Sequence, residues 1–291
     1  MMALDELIAQ LEELWSHCDE VFAKIPESKW PAKFGRHWEY ADVPRHLAYV
    51  DRTVVADGII FGKFMPPEKQ IFMSTHRQFN EWNARMLAEY RRTDSVELAL
   101  EQMRKSRDAI RHAVAPLNDT DLDQPVWFPL TGFAGWRTVR YTLGFCRQHT
   151  WAHFTQLCLR LKFTPWKMNP CIIHGAVDSI LQSLLPLLND TLAPKVDLSA
   201  ALIVTGAGGG CWIIKVSHGE CFISESEAAP PRTDIILTAT PETLIEILSD
   251  IRHPLAAMLT GRLQVRGLRH LPVFLQLFPR PNPDKPLVSS P

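Results

Sequence analysis

The chain has 291 residues, 46% of them hydrophobic and 22% charged, with a formal net charge of −1. This composition fits a globular protein with room for two cores and excludes a disordered or fibrous chain. Because neither half is basic, we expect no binding to nucleic acid or to an anionic membrane surface. Without a basic leader, a long apolar run or paired-cysteine spacing, we expect a cytoplasmic protein with no stable membrane insertion.

The first 165 residues predict helices. An apolar stripe indicates a helix over about 4–15, and a second helix is expected to start at Asp42 as its N-cap. Residues 63–75 are expected to be irregular, and further helices are predicted over about 95–115 and 137–162. Four long helices favour a bundle with a core-facing seam. The buried stripe of the second helix is expected to contain Leu47, Val50, Val54 and Val55.

The remaining residues change from helical to mixed periodicity. Residues 166–171 predict a linker, and 172–280 predict an α+β domain that begins with a helix over 172–188. The Pro-rich residues 281–291 indicate a disordered tail. The glycine run 206–210 is followed by a strand pattern, so it predicts a hairpin loop and not a dinucleotide site. Strands are expected at 200–205, 211–216, 220–224, 234–239 and 262–266.

Two histidines, His149 and His153, stand four residues apart on the last predicted helix of the first half. This spacing places both imidazoles on one face of a helix, about 6 Å apart along its axis. Two neutral imidazoles can hold a divalent metal if a third ligand comes from another helix. The residue after His149 is Thr150, so the zinc-protease motif with its glutamate base is excluded.

For the third ligand we favour His46, near the start of the second helix. Four other histidines compete for this place, and two at this spacing are also common on buried helix faces without a metal. Cys146 and Gln156 share the face of the pair and are candidates for supporting groups around the metal, Cys146 as a thiolate that would lower the net charge. The competing residues are His17, His37, His76 and His112.

Residues 1–165 resemble the DinB-like family, also known as the N-terminal family of mycothiol-dependent maleylpyruvate isomerase. The resemblance implies a four-helix bundle that binds a divalent metal (zinc, or nickel, iron or manganese) through His46, His149 and His153. It also implies chemistry with a low-molecular-weight thiol such as mycothiol or bacillithiol, bound as the thiolate that attacks an electrophile. The pieces that carry the resemblance are Val43-Pro-Arg-His-Leu-Ala-Tyr-Val-Asp51, Gln78-Phe-Asn-Glu-Trp-Asn83, Asn118-Asp-Thr-Asp-Leu-Asp123 and Gln148-His-Thr-Trp-Ala-His-Phe-Thr-Gln-Leu157.

Residues 172–280 resemble the sterol-carrier-protein fold. The matching stretches are 211–220, 233–238 and 253–267. The last is the most specific, because a short helix is expected to end at Gly261 and a strand at Gly267. A curved sheet covered by apolar helices can enclose a lipid or another apolar ligand, although the same side chains can simply fill a core. The candidate pocket residues are Trp212, Ile214, Ile236, Leu244, Leu248, Met258, Leu259, Phe274 and Leu277.

Three functions follow from these patterns. The first is a metal- and thiol-dependent S-transferase or isomerase that acts on a small-molecule thiol and an electrophile. The alternative is a non-enzymatic carrier of lipid or apolar ligands, with the bundle as a structural, partner-binding or homodimerising module. The third is a protein whose metal is structural and supports no turnover.

Overall fold

The computed structural model describes residues 2–35, 38–70, 73, 75–129, 135–163, 168–249 and 251–279. The chain divides into two compact units, Met1–His153 and Phe154–Pro281. The first is mainly helical and the second combines helices with a five-stranded sheet, which confirms the predicted multidomain α and α+β fold class. The domain limits and the linker remain predictions, and the proposed tail 281–291 lies outside the described residues.

The helices predicted near residues 4, 95 and 137 are confirmed. The first buries the expected stripe of leucines, and Ser95 caps the helix that follows it by accepting a hydrogen bond from the Leu98 amide at 3.2 Å. The stretch after residue 124 holds a short antiparallel hairpin of β1 (Pro125–Phe128) and β2 (Gly135–Thr138). The helices that begin in this unit are α1 (Leu4–Ala23), α2 (Asp42–Val50), α3 (Asp57–Phe61), α4 (His76–Thr93), α5 (Val96–Val114) and α6 (Val139–Leu161).

Helix α2 is buried on every side, since all nine of its residues are buried. It continues through one π-helical segment, Asp51–Ala56, into α3, and the predicted stripe of this second helix is buried throughout. The prediction that Asp42 is the N-cap of this helix is wrong. Ala41 occupies that place, and the Asp42 carboxylate in the first turn accepts from the Glu39 amide at 2.7 Å.

Helix α4 is a long helix that was not among the predicted elements. It begins with a capping box in which Thr75 accepts from the Gln78 amide at 3.2 Å and the Gln78 side chain accepts from the Thr75 amide. Only a few of its side chains are buried, among them Trp82 and Leu87. Phe79, Met86 and Tyr90 pack against the same core, and all five apolar residues recur at helical spacing, so the pattern for this helix was present in the sequence.

The second unit contains a mixed sheet in the order β5-β4-β3-β6-β7, with β3 parallel to β6 and the other pairs antiparallel. The glycine run joins β3 to β4 as a hairpin, as predicted. Gly208 has a φ of +73°, and a Cβ there would lie 2.4 Å from the Pro170 carbonyl oxygen, so no other residue fits. The strands are β3 (Leu198–Val204), β4 (Gly210–Ser217), β5 (Glu220–Ser226), β6 (Ile235–Ala239) and β7 (Gln264–Arg266).

Four helices of the second unit are described: α7 (Pro170–Gln182), α8 (Pro241–Leu248), α9 (Pro254–Leu259) and α10 (Leu271–Leu277). Helix α7 starts inside the predicted linker and ends six residues earlier than expected, because Pro186 in the following 3-10 turn cannot continue an α-helix. Among the described helices, none combines the length and apolar character that a bilayer crossing requires.

A buried polar group connects the π-helical segment to α6. The Cys146 thiol donates to Asp51 Oδ1 at 3.7 Å, and both residues are almost fully buried. Burial raises the pKa of Asp51 to about 7, against smaller lowering effects of Arg107 and of the Cys146 hydrogen bond. The Arg107 guanidinium itself donates to Asp19 Oδ1 at 2.8 Å, so its charge is compensated at a second place.

This buried carboxyl predicts a pH-dependent stability difference between the wild type and Asp51→Asn. Between pH 4 and pH 7 the folded chain binds the Asp51 proton more tightly than the unfolded chain, so this group makes the wild type less stable as the pH rises. Relative to the wild type, the variant should therefore gain a few kcal/mol of unfolding free energy between about pH 4 and pH 8. Urea unfolding of both proteins with EDTA present measures this, and parallel pH curves would contradict it.

Candidate metal centre

Three histidines converge from two helices of the first unit. His46 lies in α2, and His149 and His153 lie one turn apart in α6. One ligand atom from each can be chosen so that all three lie within 4.8 Å of one another. The Nε2 atoms of His46 and His149 are 2.8 Å apart, and the ring centroids of the three pairs are 4.7 to 4.9 Å apart. This is the set that the sequence predicted.

Two of the competing histidines, His17 and His112, do not join this group. His17 lies 3.8 Å from the Glu13 carboxylate on α1, and His112 is exposed on α5. His37 and the side chain of His76 lie outside the described residues. Within the described ranges, the three converging histidines are the only set of three or more potential ligands close enough to hold an ion.

The ring of His46 is held in one orientation, and its contact with Asn83 favours one tautomer. Its Nδ1 lies 3.0 Å from Asn83 Oδ1, on α4, and 2.6 Å from the Tyr49 hydroxyl. An amide oxygen only accepts hydrogen bonds, so Nδ1 carries the proton and Nε2 keeps its lone pair. That lone pair faces His149. Donation of the second ring nitrogen to an acceptor is how proteins usually orient a metal-bound histidine.

The electrostatics of the cluster favour neutral rings. Burial lowers the pKa of His46 well below its usual range, and repulsion from His149 and His153 lowers it further. Burial also lowers the pKa of His149, with a contribution from His153. Neutral imidazoles have the free lone pairs that a metal requires, whereas protonated imidazoles have none and repel one another.

Aromatic rings surround the imidazoles. Phe145 stacks on His149 with 5.2 Å between centroids, and Trp38 stacks on His153 at 5.7 Å while lying 4.8 Å from His46. Such apolar walls limit access of water and lower the local dielectric constant. The Nδ1 atom of His149 is buried and has no hydrogen-bond partner among the described residues.

The residues fit a divalent ion. The donor set is three imidazole nitrogens, which suit zinc, nickel and iron, and three protein ligands leave coordination positions open. Two nitrogens bound to a tetrahedral zinc at about 2.05 Å are about 3.3 Å apart. The Nε2 atoms of His46 and His149, at 2.8 Å, therefore need to separate by only about half an ångström.

A second contact fixes α2 against α4 beside the centre. The buried Asp42 carboxylate accepts from Arg45 Nη1 at 3.3 Å and from Arg91 Nε, on α4, at 2.9 Å, and Arg91 Nη2 also donates to it. Both this ion pair and the Asn83 contact depend on α4. Because that helix was not predicted, neither contact was predicted. The signal was available in the capping box and in the stretch 78–83.

The two candidate supporting residues, Cys146 and Gln156, make contacts outside the histidine group. Burial, followed by the nearby Asp51 carboxylate, raises the pKa of Cys146 well above its usual range. A Cys146 thiolate that compensates the metal is therefore not supported. Gln156 Nε2 donates to Ser249 Oγ at 2.7 Å, and both residues belong to the second unit.

The candidate pocket residues fall into three groups by exposure. Trp212, Ile214, Phe274 and Leu277 are buried, and Ile236, Leu244 and Met258 are partly buried. Leu248 and Leu259 are 57% and 89% exposed, so they do not line an enclosed cavity, contrary to the prediction. Each is the last residue of its short helix, α8 or α9, where the apolar pattern continues beyond the part that packs.

Comparison with solved structures gives remote likenesses. A mycothiol-dependent maleylpyruvate isomerase matches 82% of this chain and 87% of its own, with 12% identity and a TM-score of 0.46. Sterol carrier protein 2-like 2 from Aedes aegypti matches 34% of this chain and 92% of its own, with 18% identity and a TM-score of 0.25.

A sec-alkylsulfatase from Pseudomonas sp. matches 68% of this chain, with 15% identity and a TM-score of 0.33. The chain spans 32% of that enzyme's length and 25% of a double mutant of the sec-alkylsulfatase.

Comparison with characterised proteins and with family profiles gives two further results. No curated protein matches the sequence. Residues 4–157, more than half of the chain, match the profile of the DinB superfamily, and this range contains all three converging histidines. The chain therefore belongs to the DinB superfamily.

Proposed function

We propose that this protein binds a divalent metal ion through His46, His149 and His153 and uses it to hold a low-molecular-weight thiol as a thiolate for S-transfer or isomerisation. The observation that carries the proposal is the convergence of three imidazoles, with the ring of His46 oriented by Asn83. The choice of a thiol, such as mycothiol or bacillithiol, rests on the family resemblance.

The side chains divide the work of such a centre. Three neutral ligands leave the double positive charge of a bound ion uncompensated, and an ion of this kind deprotonates a coordinated thiol. Asn83 keeps the His46 proton on Nδ1, away from the centre, and Tyr49 lies against the same atom. Burial raises the pKa of Tyr49, so its hydroxyl stays protonated. Trp38 and Phe145 shield two of the rings from water.

The carrier alternative has less support from the described residues. Trp212, in the predicted pocket, lies with its ring 5.0 Å from that of His174, and its Nε1 donates to Asp178 Oδ1 at 3.1 Å. A fully buried indole with its polar atom satisfied fills a core. We therefore base the proposed function on the first unit.

The metal content of the purified protein tests the ligand set. We expect close to one equivalent of a transition metal in the wild type and less than about a tenth of that in His46→Ala and His149→Ala, because two imidazoles hold an ion much more weakly than three. Inductively coupled plasma mass spectrometry measures the content. His112→Ala, at an exposed position on α5, is the matched control. Equally low metal in all four proteins would refute the site.

Asn83 is predicted to control metal affinity without being a ligand. Asn83→Ala should weaken zinc binding about 10- to 100-fold, because the proton on His46 Nδ1 loses its acceptor and the ring is no longer held. Asn83→Asp should restore most of the affinity. Competition with a chromophoric zinc chelator gives the dissociation constants. Asn80→Ala, on the exposed side of α4, should leave the affinity unchanged, and an equal loss in that control would mean that α4 itself is disturbed.

Thiol binding distinguishes a reactive centre from a structural metal. Cobalt-substituted protein titrated with mycothiol or bacillithiol should develop a sulfur-to-cobalt charge-transfer band, because the open position accepts a thiolate. The same titration of His149→Ala should give no band. If the wild type keeps its metal, melts at a lower temperature after chelation and gives no band with either thiol, the metal is structural and the proposed activity is wrong.

A further inference from the structure

The last part of the second unit exposes large apolar side chains in unusual number. Five leucines between positions 248 and 275 are each more than half exposed, up to 89% for Leu259. Leu255 and Leu259 are one turn apart on α9 and therefore point to the same side. Single exposed leucines are common on soluble proteins, but a concentration of them marks an interaction surface. The five are Leu248, Leu255, Leu259, Leu268 and Leu275.

The same segment is uniformly cationic. Residues 251–279 contain four arginines and no aspartate or glutamate. Arg252 and Arg262 are partly neutralised by the buried Glu246 carboxylate, at 2.7 and 3.2 Å. Arg266 and Arg269 are exposed, on either side of Leu268, and have no carboxylate partner among the described residues. The balanced charge of the whole chain therefore conceals a local positive surface.

We propose that residues 252–275 dock the protein on an anionic bilayer surface. The exposed leucines would enter the headgroup region while the arginines contact the acidic lipid headgroups, which is the arrangement of peripheral membrane-binding segments. Charge selects this occupant over a second copy of the chain, because a self-interface would bring Arg266 and Arg269 of one copy close to the same two cations of the other. The proposal is independent of the histidine centre, and it replaces the expectation that the near-neutral chain avoids anionic membranes.

Sedimentation with large unilamellar vesicles tests the docking of the full chain. We expect binding to phosphatidylcholine vesicles that contain about 30% phosphatidylserine, little binding to pure phosphatidylcholine, and release when the salt is raised to about 0.5 M. R266Q/R269Q should bind about 30-fold more weakly, because each arginine near the surface contributes about a factor of five. Leu259→Asn should weaken binding about tenfold through lost apolar burial.

Matched controls come from the same unit. Arg232→Gln removes an exposed charge outside the segment, and Phe222→Asn removes an apolar side chain that is 57% exposed on β5. Both should bind vesicles like the wild type, and thermal melting should be unchanged in all variants. Equal binding to neutral and anionic vesicles, absence of binding to both, or equal losses in the controls would overturn the proposal. A wild-type dimer that R266Q/R269Q or Leu259→Asn dissociates, without vesicle binding, would assign the surface to self-association instead.

Discussion

The hydrogen bond between His46 Nδ1 and Asn83 Oδ1 is the contact on which the candidate chemistry depends. It sets the tautomer, and the tautomer decides whether the ring offers a lone pair or a proton to the centre. The contact exists because α2 is buried on all sides and α4 packs beside it. The buried charge of Asp42 is compensated by Arg45 and Arg91, so the same pair of helices is fixed at a second point.

One buried and two partly buried imidazoles at this distance form a cluster that resists protonation. Each cation would lie in a poorly solvated place beside two other rings, which is why the pKa values of His46 and His149 fall. Without an ion, the lone pair on His46 Nε2 requires His149 Nε2 to carry the proton, because the two atoms are 2.8 Å apart. The His149 Nδ1 atom is then a buried acceptor without a described partner. A bound ion would be held by the Nε2 lone pairs of both rings, with the His149 proton then on Nδ1.

Much of the fold and the convergence of the three histidines were predictable from the sequence. The four-residue spacing of His149 and His153 gave a common helix face, and the family resemblance, more than periodicity, selected His46. Helix α4 was not predicted although its apolar residues recur at helical spacing, because charged and polar residues dominate the stretch around them, and Asn83 was missed with it. Leu248 and Leu259 were assigned to a pocket because periodicity identifies apolar positions but cannot distinguish a buried face from an exposed one.

The π-helical segment Asp51–Ala56 has a consequence for related chains. A π turn holds one residue more than an α turn, so the positions after it are rotated by about 100° relative to an uninterrupted α-helix. Loss of one residue there would leave His46 in place and turn α3, with the buried Ile59, towards different neighbours. The π turn thus allows the two parts of this long helix to evolve separately. Helix α2 can keep the residues of the candidate centre while α3 changes to fit its packing neighbours. Sequence alignments of this superfamily should therefore treat a one-residue gap at this place as a change of helix phase.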